Sequence, residues 1–129
     1  MNLKNFIIGT IAAFIIYQVI GGLFYQFIFP DLYPGEKSMT MLMMGALFGS
    51  MMYSYIFDKF AGAASSLKTA GITGGVIGLL NGLSMNSYMF SSVSNPPNWN
   101  NFMIDSFIGL VMGACIGIAI WFFKSKFGD

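Results

Sequence analysis

Residues 5–30 read NFIIGTIAAFIIYQVIGGLFYQFIFP and contain no charged side chain. A helix of about 20 apolar residues crosses the roughly 30 Å of hydrocarbon in a bilayer. This stretch therefore predicts a membrane-spanning helix that ends at Pro30 and at the turn residues after it.

The uncharged runs between the remaining charges predict three further spans. Lys37 and Asp58 bound the second run. The next run, residues 69–104, is longer than one span needs, and its middle, residues 91–101, reads SSVSNPPNWNN. We divide it at this polar segment, which contains two prolines, and end the last helix before Lys124. The predicted helices of this single membrane domain cover residues 6–29, 39–57, 69–90 and 102–123.

Composition supports a membrane protein and argues against a nucleic-acid partner. Of the 129 residues, 56% are hydrophobic and 9% are charged, whereas a soluble domain has roughly 25% charged residues. The chain contains no Arg or His, and its net charge is +1, so it offers no basic surface for nucleic acid. Cys115 is the single cysteine and predicts neither a disulfide framework nor a cysteine-rich metal site.

The lysines predict the orientation. Under the four-span interpretation, five of the six lysines lie on one side of the membrane, and cytoplasmic segments carry the excess of Lys and Arg. Only Lys37 lies on the other side. We therefore expect a bacterial inner (plasma) membrane protein with both termini in the cytoplasm. The five lysines are Lys4, Lys59, Lys68, Lys124 and Lys126.

Glycines recur at four-residue spacing on the third and fourth predicted helices. Small residues let helix backbones approach closely in lipid, where no hydrophobic force drives association. A glycine zipper of this kind packs the two helices together within the chain, or it presents one stripe to a second copy or a partner. The candidate packing residues are Gly74, Gly78, Gly82, Gly109, Gly113 and Gly117.

Asp105 is the only acidic residue within a predicted span. An intramembrane acid is a candidate functional residue, but a position near the N-terminus of helix four also lets the helix dipole stabilise its charge. At a similar depth we expect Tyr25 and Gln26 on helix one and Asn86 on helix three. Together these residues form a candidate polar site in the outer leaflet.

Gln18 and Asn81 lie near the middle of helices one and three, with Ser50 at a similar depth on helix two. A buried amide requires hydrogen-bond partners, so these side chains are expected to face the bundle interior. One interpretation is an interhelical packing network, and the other is a polar site deeper than Asp105.

Eleven methionines make the chain methionine-rich. Thioethers bind Cu(I), and they also fill irregular apolar packing. Packing is the simpler interpretation, so we expect no metal site, and we keep weak Cu(I) candidates that lie four residues apart on predicted helices. These candidates are Met39, Met43, Met85 and Met89.

The sequence contains no HExxH, CxxC, GxSxG or phosphate-binding motif. Without His, and with one acid in the spans, a general acid–base pair is difficult to assemble. We therefore expect a protein that is not an enzyme and has no cofactor.

The chain resembles small uncharacterised bacterial membrane proteins that are grouped as four-span families of unknown function. The resemblance lies in the number of spans, the segment GGLFYQFIF at Gly21–Phe29, and the glycine-rich third and fourth helices. It implies a bilayer location and no particular activity.

Two functions follow as hypotheses. The first is a small non-catalytic accessory or scaffolding subunit that packs through its glycine-rich helix faces as a homo-oligomer or in a larger membrane complex. The second is a small transporter or channel subunit that uses the polar site around Asp105.

Overall fold

The computed structural model describes residues 3–29, 39–60, 62, 65–89 and 99–128, and no strand occurs among them. The predicted all-α class is confirmed for this part of the chain. The predicted connections at residues 30–38 and 91–98 lie outside the described residues. The elements are α1 (Leu3–Gly22), a π-helical segment that continues it (Leu23–Ile28), α2 (Met39–Lys59), α3 (Leu67–Met89) and α4 (Trp99–Phe127).

Three of these helices are long and apolar enough to cross a membrane. They are α1 with the π segment (26 residues), α2 (21 residues) and α4 (29 residues). The remaining helix, α3, has 23 residues but is less apolar because it contains glycines and polar side chains. Apolar side chains at four-residue spacing form an exposed stripe on α1, as a lipid-facing helix requires. This stripe consists of Ile7, Ile11, Ile15 and Val19.

The starts of α3 and α4 differ from the predicted ones for local reasons. The Thr69 N–H donates to the Ser66 hydroxyl at 3.1 Å, so Ser66 caps α3 and the helix begins at Leu67. The start of α4 is Trp99, where the indole packs edge-on against Phe102 with ring centroids 5.5 Å apart. That contact extends α4 three residues before its predicted start.

The C-terminus of α4 extends beyond the predicted end at residue 123. Phe123 packs against Phe127 one turn later, with ring centroids 5.9 Å apart. The Lys126 ammonium lies 5.3 Å from the centre of the Phe122 ring, a cation–π distance. These contacts continue α4 to Phe127.

The helices pack in the order α3, α4, α1, α2. The most extensive contact is between α3 and α4, α1 packs on both α2 and α4, and α2 and α3 barely touch. The buried core between the helices is largely apolar. Its buried members are Ala12, Ala13, Tyr53, Phe57, Ala70, Ile108, Met112, Ile116 and Ile120.

The ends of three helices meet at one end of the bundle. Lys124 on α4 forms an ion pair with Asp58 on α2 at 3.4 Å. The Ser54 hydroxyl donates to the Phe6 carbonyl of α1 at 2.6 Å. The start of α1 therefore lies beside the C-terminal ends of α2 and α4.

Candidate functional site

The two glycine stripes face each other across the interface between α3 and α4. A Cβ atom at Gly74 would overlap the Gly113 carbonyl oxygen, and one at Gly78 would overlap that of Gly109. Backbone atoms form the contact surface, so neither helix tolerates a larger residue there without moving.

The other glycines of the stripes lie in the same interface. A Cβ at Gly82 would lie 3.3 Å from the Ser106 Cα, and one at Gly117 would overlap the Ala70 carbonyl oxygen. All six candidate packing residues thus make contacts within the chain. The glycine faces named in the accessory-subunit hypothesis therefore pack against each other in this structure.

Close packing of α3 on α4 brings Asn86 to Asp105. The Asn86 amide nitrogen donates to Oδ2 of Asp105 at 2.5 Å and to the Gly82 carbonyl at 2.7 Å. The Asn86 side chain is fully buried. A charge-assisted bond of this kind is stronger than a bond between neutral groups.

A second donor reaches Asp105 from the π segment that continues α1. The Tyr25 hydroxyl donates to Oδ1 of the same carboxylate. Three elements, α4, α3 and the π segment, therefore meet at Asp105, and the structure brings together three of the predicted polar residues.

The π-helical winding positions Tyr25. The Phe29 N–H donates to the Phe24 carbonyl five residues earlier at 2.7 Å, the bond that defines a π-helix. In this wider winding, the rotation about the helix axis from one residue to the next is smaller than in an α-helix. It therefore changes the faces on which Tyr25 and Gln26 lie, and such segments often occur at functional sites.

Asp105 lies further into α4 than the predicted helix start implied. Since α4 begins at Trp99, the carboxylate is nearly two turns from the N-terminus. The dipole acts mainly within the first turn. The helix dipole therefore acts less on Asp105 than the predicted helix start at residue 102 implied.

A cavity of about 670 Å³ occupies the gap between α2 and α3 and is floored by α1 and α4. We call it the α2–α3 cleft. Asp105 is the only charged side chain in its described lining. The polar residues that line the cleft are Tyr17, Gln18, Tyr25, Gln26, Tyr53, Asn81 and Asp105.

The three amides Gln18, Gln26 and Asn81 are exposed at the cleft. Among the described residues, no hydrogen bond joins Gln18, Asn81 and Ser50 in the expected interhelical network. The buried Ser50 hydroxyl donates instead to the Ala46 carbonyl of its own helix at 2.6 Å, a bond that serine readily makes in helices.

Methionines form much of the apolar wall of the cleft. Met39, Met43 and Met85 of the predicted Cu(I) set line it, while the Met89 side chain lies outside the described residues. In the described part of the chain, no group of three or more His, Cys, Asp or Glu side chains could hold a metal. The other methionines in the lining are Met41 and Met112.

Sequence reasoning missed Tyr17 and Tyr53, which also line the cleft. Their rings pack edge to face with centroids 6.2 Å apart and an interplanar angle of 65°. The Tyr17 hydroxyl lies over Gly49, where a Cβ would come within 2.6 Å of it. The sequence signal that could have indicated them was the presence of two tyrosines in predicted spans, with Tyr53 close to the GxxxG pair Gly45 and Gly49.

The chain matches no family model, no curated protein and no solved structure.

Proposed function

We propose that this protein is a small four-span protein of a bacterial inner membrane that binds a small molecule in the α2–α3 cleft as a transporter or channel subunit. The observation that carries the proposal is the cleft itself, where a half-buried carboxylate and three exposed amides lie among apolar walls. Clefts of about 300–1,000 Å³ with a few convergent polar groups are typical ligand sites.

Helix packing supports the four-span topology. Asn5 lies next to Gly128, where a Cβ would come within 2.6 Å of its side-chain oxygen. A chain whose two ends meet at one end of the bundle crosses the bilayer an even number of times. The lysine bias favours a cytoplasmic location for this end, and we infer that Asp105 lies in the outer half of the bilayer.

The position of Asp105 supports ligand binding over a purely structural role. An acid that served only packing would be enclosed by its partners, whereas Asp105 is half-buried and lines an open cleft. Its two described partners are neutral donors on different elements. They fix the carboxylate's orientation while leaving part of it facing the cavity.

Occlusion of the cleft tests the proposal. A Cβ at Gly45 meets no atom within 4 Å, and Gly45 lines the cleft. Gly45→Trp therefore fills the cavity without striking the core, and Gly45→Ala is the matched control. We expect native mass spectrometry of gently extracted protein to show a small-molecule adduct on the wild type and on Gly45→Ala, and none on Gly45→Trp.

A specific observation keeps the accessory-subunit function as a second candidate. Nearly all residues in the first half of α2, from Met39 to Phe48, are exposed, and Gly45 has no close neighbour. A helix of a partner or of a second copy fits such a surface. Recovery of a stoichiometric protein partner or homo-oligomer, with no small-molecule adduct, would favour this function over transport.

A further inference from the structure

We propose that the ligand of the α2–α3 cleft is an amphipathic cation, with an ammonium-type or similar positive head at Asp105 and an apolar body along the methionine wall. This inference rests on the proposed function and specifies the ligand class. The combination, in one cavity, of a carboxylate whose described partners are all neutral and a wall of thioethers and phenols carries it.

The charge of the cleft selects the sign of the ligand. The described partners of Asp105 are the Tyr25 hydroxyl and the Asn86 amide. Both donate to the carboxylate, and neither carries a positive charge. A carboxylate has about four lone-pair sites, so two donors leave acceptor capacity for a bound cation.

No lysine lines the described cleft. The described lysines are on helix segments near the other end of the bundle, where Lys124 is paired with Asp58. Among the described lining residues, Asp105 would repel an anionic ligand and no charged group would attract it. In the low dielectric of a membrane interior, both this repulsion and the attraction for a cation are stronger than in water.

The walls select an apolar body. Methionine side chains are flexible and polarisable, and they adapt to ligands of different shape. Tyr17 and Tyr53 add aromatic rings, which attract cations through their faces. Because α2 and α3 barely touch, a molecule dissolved in the bilayer reaches the cleft between them without crossing the protein.

The test uses two probes of the same shape and opposite charge, tetraphenylphosphonium and tetraphenylborate. Binding is measured by equilibrium dialysis against the full-length protein in lipid nanodiscs, with empty nanodiscs subtracted to remove partitioning into lipid. We expect saturable binding of tetraphenylphosphonium and none of tetraphenylborate. Equal binding of the two ions would overturn the proposal on the wild-type protein alone.

The carboxylate is then neutralised. Asp105→Asn keeps the shape of the side chain and is expected to weaken tetraphenylphosphonium binding at least tenfold. Asp58→Asn makes the same chemical change outside the cleft and is the matched control, with binding expected to remain at the wild-type level. Unchanged affinity in Asp105→Asn, at a melting temperature like that of the wild type, would contradict the inference.

The outcomes separate this inference from the proposed function. If the wild type carries a small-molecule adduct that Gly45→Trp lacks, yet binds no tetraphenylphosphonium, the cleft is a ligand site and the cationic ligand class is wrong. If the wild type carries no small-molecule adduct and does not bind tetraphenylphosphonium, both proposals fail.

Discussion

The carboxylate of Asp105 is held by two neutral donors from different elements, and one of them, Asn86, is fully buried. The neighbouring Ser106 presents the opposite case, because its buried hydroxyl has no hydrogen-bond partner among the described residues. A buried polar group stabilises a fold only when it is paired. Two adjacent positions on α4 thus offer a direct comparison of a paired and an unpaired polar group.

Asn86→Ala removes the amide that links α3 to the Asp105 carboxylate. We expect it to lower the free energy of unfolding by about 1–2 kcal/mol, because a charge-assisted hydrogen bond is lost in a site with few alternatives. Ser106→Ala is the control and should leave stability unchanged or slightly higher. SDS-titrated unfolding in mixed micelles measures both, and equal losses in the two variants would contradict this account of the site.

The α3–α4 pair is the most tightly packed element of the fold. Gly113 fits against Gly74 and Gly78, and a Cβ at Gly113 would overlap the Gly74 carbonyl oxygen. The neighbour is backbone and cannot rotate away as a side chain could. The helices themselves must separate to accept a larger residue, and this would also disturb the alignment of Asn86 with Asp105.

Gly113→Ala is therefore expected to destabilise the protein by about 1–3 kcal/mol, the usual range for overpacking. Gly45→Ala adds the same methyl group where nothing lies within 4 Å. There the gain in helix propensity, about 0.5–1 kcal/mol, should leave stability equal or higher. The free energy of unfolding of both variants is measured in the same detergent. A Gly113→Ala protein as stable as the wild type would show that the α3–α4 interface has room for a methyl group at this position.

Sequence patterns predicted the helices of this fold better than they predicted the rotation of each helix about its own axis. Gaps between charges were enough to predict four helices, and four-residue glycine spacing indicated the close pair. Depth alone grouped Tyr25 and Asn86 with Asp105. Nothing in the sequence indicated the π winding near Tyr25 or the turn of Ser50 towards its own helix. Such details depend on tertiary packing, which fixes helix rotation and which periodicity does not encode.

At the scale of the whole molecule, the asymmetry of packing creates the site. Glycines allow α3 to pack closely on α4. Gly9 likewise allows Ser54 of α2 to pack against the start of α1, because a Cβ at Gly9 would overlap the Ser54 hydroxyl. The pair α3–α4 and the pair α1–α2 contact each other through α1 and α4, so α2 and α3 remain apart. The α2–α3 cleft therefore follows from where small residues occur and where they do not.

The topology can be tested on the same scale. Four spans place both termini on one side of the membrane, whereas three spans, with α3 outside the hydrocarbon, place them on opposite sides. Fusions of a fluorescent protein and of alkaline phosphatase to each terminus distinguish the two, because the first fluoresces only in the cytoplasm and the second is active only outside it. We expect fluorescence and no phosphatase activity at both ends.

An internal control strengthens the assignment. Phosphatase fused after Gly62, in the connection between α2 and α3, should be inactive, since that connection lies at the same end of the bundle as Lys124 and Asp58. Fusion in the connection between α1 and α2, after residue 34, should give high activity. Phosphatase activity at the C-terminus alone would mean that α3 does not span the bilayer. In that case Asp105 would lie in the cytoplasmic half of the bilayer, and its cleft would be open to a different set of ligands.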